Sequence, residues 1–431
     1  MVLEMRKMKD SGVEWIGEIP EGWEIVPVRS CFDEVRTKNT DGQEQNALQF
    51  KSGNIISKTN FNVSMDDYVA DTITNYTVVL PDTVMINGLN LNYDFKSLRV
   101  ALVKEKGVIT SAYLAIFPDR KKIAPQYATY LFKGYETKMA FHNMGAGIRK
   151  TLGYKEFKNQ PLLLPSEKEQ NKISAYLDSK CSHIDIMLSK TRASIEEYKK
   201  LKQAVITQAV TKGVRGEREM KDSGVEWIGE IPEEWNKCKL KNISIDIGDG
   251  LHGTPKFDDS GEVYFINGNN FSSEYVEPKF DTKKLCLEES LNYPKPELTE
   301  QTIMISLNGS YGKVCLYRYF PMLLGKSAGY ITLLPSINRR YVRYYLSSTP
   351  AQIIMTLSLN GTTIPNLSLN TLYNFPTILP SASEQAEIAD YLDAKCAEID
   401  RLIAKKEQLV KELESYKKSL IYEVVTGKRE V

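Results

Sequence analysis

PLLLPSEKEQNKISAYLDSKC, residues 161–181, returns as PTILPSASEQAEIADYLDAKC, residues 376–396. The copies align without gaps at an offset of 215, and 12 of 21 positions are identical. In each, a Pro-Ser is followed three residues on by glutamate: Ser166 with Glu169, and Ser381 with Glu384. That spacing is a capping box, in which serine and glutamate satisfy amides of the first turn, so both stretches predict a helix start. No proline lies between these caps and Gly213 or Gly427, and glycine commonly ends helices. Each helix then runs for about 45 residues, roughly 65–70 Å at 1.5 Å per residue. Apolar residues of the second fall at Ile399, Leu402, Leu409, Leu413, Tyr416 and Leu420, a 3-4 spacing broken by Lys406. The matching positions in the first are Ile184, Met187, Ser194, Tyr198, Leu201 and Val205. This is an imperfect heptad seam. Neither helix buries its stripe alone, and the simplest partner for each is the other, antiparallel.

The duplication extends outward from these helices. At the same offset, Val210-Thr211 pairs with Val425-Thr426, and Phe50, Gly53 and Asn54 pair with Phe265, Gly268 and Asn269. Upstream, MKDSGVEWIGEIPEGW (8–23) returns as MKDSGVEWIGEIPEEW (220–235), with only Gly22 and Glu234 differing. All four tryptophans, Trp15, Trp23, Trp227 and Trp235, lie in this phrase. Tryptophan combines a large apolar area with one donor, which suits docking. We read these four, with Tyr198, Leu201, Leu413 and Tyr416, as residues docking each domain on the helices or a partner on the protein. Between phrase and helix lie short β-like runs: YTVVLP, SLRVALV and AYLAIFP, then TIMISL, KVCLYRYF and GYITLLP. The expected fold is α+β: two α/β domains arranged pseudo-symmetrically and separated by a pair of long antiparallel, coiled-coil-like helices. The expected boundaries are 1–163 and 215–378 for the domains, and 164–214 and 379–431 for the helices.

Composition narrows the function. The chain has 431 residues, 42% hydrophobic and 26% charged, as soluble globular proteins do. It shows no long apolar run and no signal-like start, so the expected location is the cytoplasm. A net charge of +1 argues against a coat of positive charge, though not against local basic patches. The cysteines, Cys31, Cys181, Cys238, Cys286, Cys315 and Cys396, form no CxxC pair. GDGLHG (248–253) has the GxGxxG spacing, but TPKFDDSG follows where a dinucleotide site needs a helix. His142, His183 and His252 are not spaced as metal ligands, and neither Walker A, HExxH nor GxSxG occurs. No catalytic centre and no metal site are expected.

Four elements together resemble the specificity subunit of type I restriction–modification systems, over nearly the whole chain. They are SGVEWIGEIPEGW, DGLHGTP (249–255), the LP-S-x-x-EQ-x-x-I-x-x-YLD helix starts, and the VTKG and VTGK helix ends at Val210 and Val425. The first variable region departs from the pattern, having no DGxHxTP counterpart. The resemblance implies a non-catalytic subunit whose two target-recognition domains each read half of an asymmetric, bipartite site on double-stranded DNA. It implies that the helix pair sets the spacer and docks two methyltransferase subunits, with restriction or translocase subunits where the system has them. S-adenosylmethionine is then expected on the methyltransferase subunits and no cofactor on this chain. A methylation-only complex, or a helical scaffold that reads no bases, fits the same residues.

Asparagine suits adenine edges, and lysine or arginine suits guanine and phosphate. In polar turns between apparent strands, the DNA-binding candidates of the first domain are Lys51, Asn54, Asn87, Asn90, Asn92, Arg149 and Lys150. Those of the second are His252, Thr254, Asn267, Asn269, Asn308, Tyr311, Lys326 and Thr362.

Overall fold

A computed structural model of the chain describes residues 6–58, 73–148, 150–359 and 365–431. The chain divides into two compact units: Met1–Arg192 with Gln408–Val431, and Ala193–Glu407. Each unit therefore holds part of both long helices.

In the first unit the repeated phrase folds on itself. Strand Met8–Asp10 pairs antiparallel with Glu18–Pro20. The loop between them turns at Gly12 and Gly17, with φ of 67° and 71°, where a side chain would crowd its own backbone. Strand Glu24–Pro27 then pairs with Pro161–Leu164, which leads into the long helix. Between these lies an antiparallel sheet ordered Phe32–Glu34, Leu114–Pro118, Val84–Ile86, Val100–Leu102. Side chains alternate across it. Val84, Ile86 and Ile116 join one core with Tyr127, Phe132 and Tyr135 of helix Pro125–Thr137. Met85 and Ala115 join another with Leu48 and Val79.

The second unit repeats this frame. Met220–Asp222 pairs with Glu230–Pro232, and Asn236–Lys239 pairs with Pro376–Leu379. Its sheet has the equivalent order Ser244–Asp249, Ala328–Leu333, Thr302–Ser306, Val314–Leu316. Ile303, Ile305 and Ile331 pack with Tyr341 and Tyr345 of helix Arg339–Ser347. Met304, Cys315 and Tyr330 face Ile266 and Leu324. Every β-like run named from the sequence contains a strand. No α-helix follows GDGLHG before Leu287. One aligned segment does not share its structure. Lys51 and Asn54 flank a tight hairpin turn, with Ser52 and Gly53 at positive φ. The aligned Gly268–Asn270 is instead a single 3-10 turn.

The long helices are Glu167–Lys212 and Ala382–Val425, ending at Gly213 and Gly427 with φ of 79° and 70°. Their seam needs a correction. Met187, Leu201, Leu409 and Tyr416 are exposed. The less exposed stripe is a regular 3-4 repeat: Cys181, Ile184, Leu188, Thr191, Ile195, Tyr198, Lys202, and at the same offset Cys396, Ile399, Ile403, Lys406, Val410, Leu413, Lys417. Lysines can occupy a seam because their stems are apolar and their charge can be paired. Within the second unit Lys202 reaches Asp400 at 2.6 Å, and within the first Lys417 reaches Asp185 at 2.7 Å. Lys406 lies over Tyr198, 5.6 Å from the ring centre. The pairs bridge the two helices, whose segments run antiparallel within each unit. No helix among the described residues is long and apolar enough to cross a membrane.

Candidate nucleic-acid interface

Each unit has a junction with the helices and a loop end, and the residues singled out from the sequence divide between them. At the junction the expected capping box is only half formed. Ser166 and Ser381 accept from the amides of Glu169 and Glu384, both at 3.4 Å. The glutamate carboxylates turn away from their own caps. Glu169 accepts from the indole Nε1 of Trp23 at 2.9 Å and pairs with Arg6. Glu384 accepts from Trp235 at 2.9 Å and from Arg218 at 2.5 Å. The guanidinium groups also lie over the indoles, Arg6 at 5.5 Å and Arg218 at 5.4 Å. Indole and guanidinium together give the carboxylate two donors, one of them a cation, where its own cap amide would give a single neutral donor. The arginines were missed in the sequence, although the 212-residue offset carries Arg6 onto Arg218.

The rest of the helix-start motif has equally definite work. The buried Gln170 accepts from the Ala124 amide at 2.8 Å and donates to the Pro165 carbonyl at 3.0 Å. Gln385 accepts from the Asn338 amide and donates to the Pro380 carbonyl, both at 2.9 Å. Asp178 and Asp393 accept from Tyr130 and Tyr344, both at 2.7 Å. The motif thus ties the strand before the helix, the short helix of the sheet domain and the repeated phrase to the first turns of the long helix.

The docking candidates separate by exposure. Trp23 and Trp235 are buried. Trp15 is half-buried, edge-on to Tyr135 with ring centres 4.5 Å apart. Trp227 is 45% exposed. Tyr198 and Leu413 lie in the helix seam, whereas Leu201 and Tyr416 face solvent.

The DNA candidates gather at one end of each sheet. In the first unit, residues 87–99 link Val84–Ile86 to Val100–Leu102. Buried Arg99 organises this loop, donating to the carbonyls of Asn87 and Leu89, both at 2.9 Å, and of Asp94 at 2.5 Å. Hydrogen bonds from Ser97 hold the Asp94 carboxyl down at about 2, so it stays ionised beside Arg99. Burial pushes Glu136, which accepts from the Arg99 amide, up to about 7. The loop packs against a second one: Leu91 donates to Lys150, and Asn92 to Ile148, both at 3.2 Å. The hairpin at Gly53 approaches Leu98 of the same loop. Lys51, Asn54, Asn87, Asn90, Asn92 and Lys150 therefore share one surface. Arg149 lies outside the described residues.

In the second unit the loops 250–255, 307–313 and 325–327 all leave the same end of the sheet. Gly250 lies so close to Leu324 that a Cβ would sit 2.3 Å from its carbonyl, which accounts for the glycine in DGLHGTP. Ser327 joins the parts, donating to Asn267 at 3.1 Å and accepting from the Gly268 amide at 3.0 Å. Thr254, Asn267 and Asn269 line a cleft of about 460 Å³ with Phe257, Lys279 and Lys283. The Asn269 amide has no hydrogen-bond partner among the described residues. His252 is tied to Asp249 at 2.7 Å, and Tyr311 to Thr356 at 3.3 Å. Asn308 bridges to Asn366, and Lys326 is exposed. Thr362 lies outside the described residues. Lys279 and Lys283, 12 and 16 residues past Asn267, were missed because they reach its cleft only through the pairing of strand Val263–Ile266 with Lys284–Leu285.

Fold and junction define a duplicated protein with two sheet domains on paired helices. Residues 232–413 match the family model for the type I restriction modification DNA specificity domain. The type I restriction enzyme MjaVIII specificity subunit of Methanocaldococcus jannaschii is 25% identical over 423 residues, 95% of this chain and 93% of that one. A second chain of that organism, assigned as the MjaX specificity subunit, is 25% identical over 442 residues, 99% of this chain and 98% of that one. Two solved structures share the fold at 16% identity. A chain of a type I restriction–modification system, solved for its assembly and conformational transition, has a TM-score of 0.71 and covers 95% of this chain and 99% of that one. The HsdS subunit from Thermoanaerobacter tengcongensis has a TM-score of 0.50 and covers 95% and 98%. The chain is thus similar over nearly its whole length to type I restriction enzyme specificity subunits, and its residues 232–413 match that family's DNA specificity domain.

Proposed function

We propose that this chain is the DNA-recognition subunit of a type I restriction–modification complex, each unit reading one half of an asymmetric bipartite site in the major groove. The observation that carries the reading is a constant frame with unlike loops: the junctions share their indole–glutamate, glutamine and tyrosine–aspartate bonds, while equivalent sheet ends present different polar side chains. Major-groove edges distinguish all four base pairs, so unlike loops read unlike half-sites. Asn269, with its amide unengaged, is suited to an adenine edge, and Lys51, Lys150 and Lys326 to guanine or phosphate. The helix pair sets the spacer. Two methyltransferase subunits, carrying S-adenosylmethionine, dock on the helices and on the exposed Trp227, Leu201 and Tyr416, and the complex works on DNA in the cytoplasm. Half-sites a helical turn apart are separated by about 34 Å of duplex.

The test is to sequence modified bases in host DNA with and without the protein. A bipartite methylated motif that disappears on deletion supports the reading, and its persistence refutes it. Adding one heptad to Glu167–Lys212 should lengthen the gap and keep both half-sites; an unchanged motif would exclude the ruler. Exchanging residues 24–160 for those of a relative should change one half-site only, and indifference to the exchange would leave a scaffold.

A further inference from the structure

Exposed apolar side chains scattered over a surface are ordinary. Two in this protein stand out by degree and by place. Phe280 and Ile148 have relative exposures of 109% and 96%, and each sits in a hydrogen-bonded turn beside its unit's loop end.

Phe280 lies in a turn closed from both sides. The Thr282 amide donates to the Lys279 carbonyl at 3.1 Å, and the Lys279 amide to the Thr282 hydroxyl at 2.7 Å. That hydroxyl also accepts from the buried Asn270 at 2.8 Å, which anchors the turn beside Asn269. Lys279, Thr282 and Lys283 form a wall of the cleft that holds Asn267 and Asn269. Ile148 follows Gly147, at φ 81°, in the loop bridged by Ala146 and Thr151. Its carbonyl accepts from Asn92, and Lys150 donates its amide to Gly147 at 3.1 Å. With the Phe280 turn closed by hydrogen bonds from both sides, burying that side chain on a partner orders little extra chain.

We infer that Phe280 and Ile148 are the apolar DNA-contacting residues of the two units, each leaving water against the bases while neighbouring lysines engage phosphate. The inference rests on the DNA-recognition reading above. Lys279, Lys283 and Lys284 outnumber Asp281 around Phe280, and Lys150 lies near Ile148, a balance that favours a polyanion over a protein surface. Asparagine amides within the same surfaces supply base-edge chemistry. Apolar side chains meet bases either at the thymine methyl or as a wedge in the stack. Both remove the same surface from water.

The experiment uses the full complex, assembled with its other subunits, and duplexes carrying the motif found by base-modification sequencing. Both positions are on the surface, so Phe280→Ala and Ile148→Ala should melt as the wild type does. Phe280→Ala is expected to weaken cognate binding roughly 5- to 100-fold, as loss of one aromatic contact does. Its salt dependence should stay unchanged, whereas Lys283→Ala should lower the salt slope by about one. Ile148→Ala should act likewise, more weakly, through the first half-site. In wild type, either a comparable loss on replacing half-site thymines with uracil, or a rise in 2-aminopurine fluorescence, supports the contact and tells methyl from wedge. Cognate affinity unchanged in both variants overturns the inference. So does a loss confined to subunit assembly, which would mark a protein-docking surface. A wild-type complex that binds no bipartite motif would fail the underlying reading instead.

Discussion

Glu169 holds Trp23 and Arg6 in the first unit, and Glu384 holds Trp235 and Arg218 in the second, with both indole bonds at 2.9 Å. At the loop end nothing corresponds so closely. Residues 87–99 of the first unit are wound round buried Arg99, whereas the shorter loop 307–313 of the second is held by Ser306 and Ser310. The difference follows from how each region is bonded. At the junction, helix, phrase and strand supply complementary halves of the same hydrogen bonds, so a change in one strands a buried partner. A loop leaving a sheet end depends mainly on itself and can vary without unseating the frame.

The strongest way to break the symmetry is to remove an indole. Trp23→Ala or Trp235→Ala should each cost about 3–5 kcal/mol, seen as a lowered denaturant midpoint, while the methylated motif stays the same. A changed motif would mean that junction and loop end are not independent. Gln170→Ala leaves the Ala124 amide and the Pro165 and Lys122 carbonyls without that partner, Gln385→Ala the Asn338 amide and the Pro380 carbonyl, and each should cost about 2–3 kcal/mol. Equal losses in the two units would sharpen the equivalence.

A pH titration separates the units next. The Glu136 carboxyl, normally near 4.5, is raised to about 7 by burial, so the folded first unit binds its proton more tightly than the unfolded chain does. Its contribution is complete below about pH 4.5 and is lost as pH rises through about 7. Glu136→Gln should flatten the melting temperature of the first unit across that window, and an unchanged pH profile would contradict the assignment. The smallest effect concerns the one residue that differs between the phrases. Glu234 pairs with Arg218 at 2.6 Å, and Gly22 gives Arg6 no such partner. Gly22→Glu should stabilise the first unit by no more than about 0.5 kcal/mol, the scale of an exposed pair in a thermal melt.

The repeats made the duplicated frame legible, because a phrase, a strand pattern and a capped helix recur at constant offsets. They also pointed to Glu169 and Glu384 as important, though for a different bond. The seam was only partly legible: Ile184, Tyr198, Ile399, Lys406 and Leu413 lie in it, but a search for apolar residues preferred Leu201 to Lys202, Leu409 to Val410 and Tyr416 to Lys417. Periodicity counts apolar residues and cannot see a lysine whose stem is buried and whose charge is paired across the helices. The reading surfaces were legible as residue types and not as sites. Asn267 and Asn269 meet Lys279 and Lys283 in one cleft only because strand Lys284–Leu285 folds back on Val263–Ile266.

The amino-acid sequence by itself determined the duplication, the two long helices and the family resemblance, since these rest on local spacing and repetition. Tertiary structure alone decided what each repeated residue bonds to, which stripe of the helices is buried, and which polar turns converge at one end of each sheet. Those outcomes depend on contacts between segments more than a hundred residues apart, such as Trp23 with Glu169, and no local pattern carries the geometry of a distant partner.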